Sequence, residues 1–347
     1  MKFVSGLLVS IGLWSVCCPA PAEVSIGSCE AAAHYSAARR GFSLLVIRDD
    51  RVFFEDYANG GGIDVPESIF SGTKGFWCVS AVAAEQDGIL NLDEPVRNTI
   101  TEWEGDPSKA DIRIRNLLNF TAGIEPAFIL HGRSIPSRNL YAIKLRPVTY
   151  PGQAFMYGPS ELQIFSEVLR RKLARYHLTP EQYLSRRVLH PLGIYAVDFR
   201  EDSAGNPLLA SGFRLTARQW AQFGLLLLHN GAYDGRQIVS PYRLQECFAP
   251  SRANPMFGMG FWLNRLAKVP GAREPDVENM LELPWQVQRW QMTCVCRDAP
   301  HDMISAIGSG YNRMFVFPSQ NMIIVRQGRN APFSDAHFLK IILGRTT

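Results

Sequence analysis

Apolar residues in this chain fall into runs whose spacing separates strands from helices. Phe42 to Ile47 and Val52 to Tyr57 are two apolar runs divided by Arg48-Asp49-Asp50-Arg51, which predicts a β-hairpin. Residues 75–86 (GFWCVSAVAAEQ) are apolar nearly all round, the pattern of a helix buried on every side, and Asp87-Gly88 supplies its stop. Further helices read over Glu30 to Arg40, Leu162 to Ala174, Glu181 to Leu189, Ala217 to His229 and Ala336 to Leu343. Met314 to Phe317 and Met322 to Gln327 predict a second hairpin around Pro318-Ser319-Gln320-Asn321. Strands therefore lie toward both ends, with helix and loop between. Sequence-adjacent hairpins favour an antiparallel sheet covered by helices. The expected fold class is α/β (α+β): one domain over 23–347, its sheet drawn from about 23–92 and 210–347, with a mostly helical insertion over about 93–209.

Composition narrows the function classes. The 347 residues are 46% hydrophobic and 20% charged, enough for a substantial core. The net charge of +4 is scattered, and Arg170-Arg171-Lys172 reads as an exposed helix face, so no nucleic-acid partner is expected. Residues 1–22 read as a secretory signal: Lys2 is their only charge, an apolar run follows to Cys18, and Ala20-Pro21-Ala22 fits a cleavage site. A periplasmic or secreted protein without a membrane span is the expectation, with a retained anchor as the alternative. Five cysteines follow the signal (Cys29, Cys78, Cys247, Cys294, Cys296), so one thiol at least stays free while export permits a disulfide among the rest. Cys294-Val-Cys296 lacks a second pair at zinc-site spacing, and no phosphate-binding glycine motif is present. No metal or organic cofactor is expected.

The chemistry concentrates at Ser71-Gly72-Thr73-Lys74, at the mouth of the buried helix. With the helix beginning near Ser71, Lys74 lies one turn on and on the same face. The serine then sits at the positive end of the helix, where unpaired N–H groups stabilise developing negative charge. A lysine desolvated by the core can lose its proton near neutral pH and serve as the base. Taken alone, the tetrad also fits an N-cap serine and a solvated lysine.

With its surroundings, the chain resembles the serine β-lactamase-related family: class C β-lactamases, D-alanyl-D-alanine carboxypeptidases and related esterases and amide hydrolases. Beyond the Ser-x-x-Lys signature, the resemblance rests on SGTKGFWCVSAVAAEQDGILNLDEPV (71–96), IRIRNLLNFTAGI (112–124) and PGQAFMYGPSELQIFSEVLRRKL (151–173). RLTARQWAQFGLLLLHNGAYDGRQIVSP (214–241), FGMGFWLN (257–264) and MFVFPSQNMIIVRQG (314–328) continue it in the family's order. It implies a β-lactamase/transpeptidase-like fold. It also implies that Tyr157 stands in the family's second motif, Tyr-x-Asn, as a proton relay beside Ser71 and Lys74. Here Pro159 replaces the asparagine and removes a substrate-binding amide; Ser160 follows as a candidate substrate contact. The third motif matches Ala306-Ile307-Gly308, followed by Ser309 and Gly310. Gly308 and Gly310 would let substrate approach, and the backbone N–H groups of Ser71 and Ser309 would form the oxyanion hole. The usual Lys or His of this motif is absent, and Arg313 or another nearby arginine is the candidate to replace its charge.

The resulting expectation is an exported serine hydrolase that cleaves an ester or small amide through a Ser71 acyl-enzyme, its substrate a small or peptide-like molecule. β-Lactamase or carboxypeptidase activity is the first alternative. A catalytically silent cell-wall or partner-binding protein is the second. Oligomeric state is not encoded in any feature of the chain.

Overall fold

The structure, a computed structural model, describes residues 24–345 apart from 133, 196 and 197; the expected signal lies outside the described residues. Six strands form the main sheet: β1 (Gly41–Arg48), β2 (Arg51–Tyr57), β3 (Trp262–Leu263), β4 (Ile304–Gly308), β5 (Asn312–Phe317) and β6 (Met322–Gly328). Their spatial order is β2-β1-β6-β5-β4-β3, antiparallel throughout. The two ends of the chain meet at its centre, where Leu45 pairs with Val325 and Val46 with Ile324. In the β1–β2 turn, Asp49 and Asp50 both take positive φ, 50° and 62°. That is the turn whose twist matches paired strands, and aspartate tolerates it.

Both faces of the sheet are covered, which explains why β1, β5 and β6 read as continuous apolar runs. Ile323 packs toward helix α4 (Ala217–Leu228), close to Gly224. Arg326, pointing to the opposite face, donates to the Ser36 hydroxyl of helix α1 (Ile26–Ala37). Helix α6 (Asp335–Ile342) packs beside α1 on that face. Helix α2 (Thr73–Gln86) is buried from Thr73 to Ala84, the fate its all-round apolar sequence predicts.

The stretch 93–209 is mostly helix and loop, carrying α3 (Ser160–Leu173) and a short strand at Asp198–Phe199. The helix expected over Glu181 to Leu189 is α-helical only over Pro180–Leu184 and widens into a π-turn over Ser185–Leu189. All five cysteines after the expected signal are buried free thiols. No helix among the described residues is long and apolar enough to cross a membrane.

Candidate active site

Ser71 sits in a single 3₁₀ turn, Phe70–Gly72, that feeds directly into α2. The residue before it, Phe70, holds a φ of 46°, a left-handed conformation costly for a bulky side chain. Strain of this kind persists where surrounding structure imposes it, and here it sets the exit of the Ser71 turn. Lys74 lies one turn on and is only 2% exposed. Its Nζ is 2.8 Å from Ser71 Oγ and donates to the Ala210 carbonyl at 2.8 Å. Burial lowers its pKa from 10.5 to about 7. Near neutral pH a large fraction of the protein thus carries a neutral amine. With one N–H committed to Ala210, the lone pair of that amine can face the serine hydroxyl and receive its proton.

Tyr157 places its ring under the lysine, with Nζ 4.5 Å from the ring centroid. Phe120, Phe155, Phe257 and Trp262 pack around it. Burial pushes the phenol well above its ordinary pKa, against a smaller downward pull from a hydrogen bond with Ser71. Tyr157 is therefore a neutral phenol at physiological pH. It can hand a proton on, whereas accepting one from the serine falls to Lys74.

The third side of the site is the end of β4. A Cβ built on Gly308 would lie 2.0 Å from the Ile69 carbonyl oxygen and 3.2 Å from the Gly72 nitrogen. Glycine is thus required so that β4 can seat against the nucleophile turn. This corrects the expectation that its missing side chain makes room for substrate. Among the described residues, neither the Ser71 nor the Ser309 backbone N–H has a protein acceptor. Two free donors beside a nucleophile are what an oxyanion hole needs. Gly308→Ala should force these segments apart and lower kcat/KM for any acyl substrate about 10- to 100-fold while the protein stays folded. Steady-state kinetics with a circular dichroism control checks this.

Other expectations are corrected. Ser160 lies in the interior: it is fully buried at the start of α3, its hydroxyl donating to the Glu125 carbonyl at 2.5 Å, so it is no substrate contact. Arg313 does not supply the missing cation. Its guanidinium is fully buried, paired with Asp335 at 2.7 Å and Glu278 at 2.9 Å, and donates to the Gly308 carbonyl at 2.7 Å. Ala306 is a buried strand residue. Gly310 borders the cleft, yet its N–H is taken by the Glu278 carboxylate.

Ser71, Lys74, Tyr157, Gly308, Ser309 and Gly310 open onto one cleft of about 1100 Å³. Two residues on its wall carried no signal in the sequence. Glu278 lies on helix α5 (Val277–Glu282) and accepts from the N–H groups of Gly310 and Tyr311. His131, an isolated histidine at the end of a 3₁₀ turn (Phe128–His131), meets Ser211 Oγ through Nδ1 at 3.1 Å. Burial first, and the Lys74 charge second, lower its pKa to about 4, so it is neutral at physiological pH.

Comparison with known proteins identifies the family and the fold. The family model for beta-lactamase matches residues 28–327. Among solved structures, EstCE1, a hydrolase with promiscuous acyltransferase activity, superposes with a TM-score of 0.65 at 16% identity, covering 92% of this chain and 97% of that one. A penicillin-binding protein homologue from Caulobacter crescentus gives 0.63 at 14% identity, covering 92% and 95%. A beta-lactamase from Mycobacterium bovis gives 0.60 at 17% identity, covering 91% and 96%. At these identities the likeness concerns the fold. No curated protein matches the sequence.

Proposed function

The chain belongs to the beta-lactamase family, a family of hydrolases, and from that premise we propose that it is an exported serine hydrolase of an ester or small amide. The observation that carries the reading is the Nζ–Oγ approach of 2.8 Å by a lysine whose pKa burial brings to about 7. Neutral Lys74 takes the Ser71 proton as Oγ attacks the carbonyl carbon. The tetrahedral oxyanion is held by the Ser71 and Ser309 N–H groups. As the intermediate collapses, the proton on Lys74 passes to the leaving group, with the Tyr157 phenol as relay. Water then attacks the acyl-enzyme, giving up its proton by the same route and regenerating Ser71.

The substrate side of the proposal rests on charge. β-Lactams and D-alanyl peptides carry a carboxylate, and a site for them gains from a facing cation. Here β4 offers Ala306 where the family places a Lys or His, and Arg313 is already neutralised by two carboxylates. EstCE1, a hydrolase of the same fold, has promiscuous acyltransferase activity, which is consistent with this reading. The expected result is a kcat/KM for p-nitrophenyl butyrate at least about 100-fold above that for a penicillin or cephalosporin, about 3 kcal/mol in transition-state binding. Faster turnover of the β-lactams would reverse the assignment.

A further inference from the structure

The walls of the cleft carry a charge pattern that narrows the substrate class further, and this step rests on the acyl-transfer reading above. Three carboxylates line the cleft: Glu125 on one wall, Glu278 and Glu282 on the other. Glu278 shares the Arg313 guanidinium with Asp335, and Arg326, opposite Arg313 on β6, adds a second buried cation to that group. Among the described residues, the side chains of Glu125 and Glu282 have no cationic partner. The cationic side chains on the wall are Lys74, committed to Ser71 and Ala210, and Arg329. The Arg329 guanidinium lies over the ring of Phe42, 5.0 Å from its centroid, and Phe42 is outside the cleft wall.

A second, independent feature is the mouth. Phe70, Phe128 and Tyr141 line it and are 41%, 56% and 37% exposed, and Trp285 joins them from the α5 side. Exposed aromatic rings around a cavity are costly to leave in water and mark a binding surface. Aromatic faces combined with carboxylates favour one ligand chemistry above others, an organic ammonium, which each attracts through its negative potential. An apolar ligand would use the rings alone and a carboxylate would be repelled by the walls.

We propose that the substrate of this site is an ester or amide bearing an ammonium group, primary or quaternary, within reach of the Glu125 and Glu278–Glu282 walls. Partly exposed carboxylates each contribute only a few-fold, and a desolvated one more, so discrimination of about 10- to 50-fold over a neutral isostere is expected.

Matched aryl boronates test this without depending on turnover, because boron bonds reversibly to a nucleophilic serine. Three meta-substituted phenylboronates suffice: trimethylammoniomethyl, neopentyl as the uncharged isostere, and carboxymethyl. The expected order of Ki is ammonium lowest, neutral intermediate, carboxylate highest. In Glu125→Gln/Glu282→Gln, changed at two exposed positions, the three values should draw together. Equal Ki values, or tightest binding of the carboxylate, would overturn the charge assignment while leaving the nucleophile intact. Failure of all three to bind would instead remove the activated serine, and the substrate proposal with it. A parallel comparison of butyrylcholine with 3,3-dimethylbutyl butyrate should show the same preference in kcat/KM.

Discussion

Lys74→Met should lower kcat/KM about 10³- to 10⁴-fold while making the protein more stable. The loss follows from removing the base that takes the Ser71 proton. It should approach that of Ser71→Ala, and the double variant should be little worse, because the two groups act as one unit. The gain in stability has a definite pH window. Lys74 has a pKa of about 7 in the folded protein against 10.5 as its ordinary value. Between those limits the unfolded chain binds a proton that the folded chain lacks, so wild-type stability rises with pH from about 7 to about 10.5. Below about pH 7 both states are protonated and the full penalty of a buried ammonium stands. Methionine removes that penalty. The variant should therefore gain up to about 5 kcal/mol at pH 6, shrinking toward zero near pH 10.5. Urea titrations at pH 6, 8 and 10 measure this. In the wild type the same titration should appear as an acid limb in kcat/KM near pH 7.

Arg313→Met should produce the largest loss of stability in the molecule's polar interior, about 3–5 kcal/mol. The arginine is enclosed between β5 and α6, its Nε bonded to Asp335 Oδ1 and its Nη1 to Glu278 Oε1. Removing it takes away the hydrogen-bonded partner of two carboxylates and leaves only the more distant charge of Arg326. Methionine fills much of the volume, so the effect isolates charge from packing. Thermal unfolding should fall by roughly 6–15 °C at pH 7. A second consequence reaches the cleft, because Arg313 also holds the Gly308 carbonyl and, through Glu278, the Gly310 and Tyr311 N–H groups. Activity measured well below the melting point should drop as well. A change of less than about 1 kcal/mol would show that the carboxylates find other partners.

The elements legible in the sequence were those whose information is local. The β1–β2 hairpin and α2 follow from runs and turn residues that report on one segment at a time. The same holds for Ser71 and Lys74, brought together by one helical turn. Tyr157 is different: it arrives from 83 positions beyond Lys74, and only the resemblance pointed to it. Features that depend on which segments meet were misread or invisible. Ser160 looks like a polar residue beside a motif, yet the turn buries it against Glu125. Arg313 looks like a free cation near the site, yet alternation along β5 sends it into the opposite face, toward Asp335. Gly308 was singled out for the wrong reason, since what fills its missing Cβ is the nucleophile turn itself. Glu278 and His131 carry no pattern at all; their place on the cleft wall exists only once segments distant in sequence converge.

The central claim is that Ser71 is a nucleophile activated by Lys74. It is tested most directly by treating the protein with a fluorophosphonate at pH 8 and locating the adduct by peptide mass spectrometry. A single modification on the peptide containing Ser71, absent from Ser71→Ala and formed much more slowly in Lys74→Met, is the predicted result. No adduct on the folded wild-type protein, or one formed equally fast without Lys74, would contradict it.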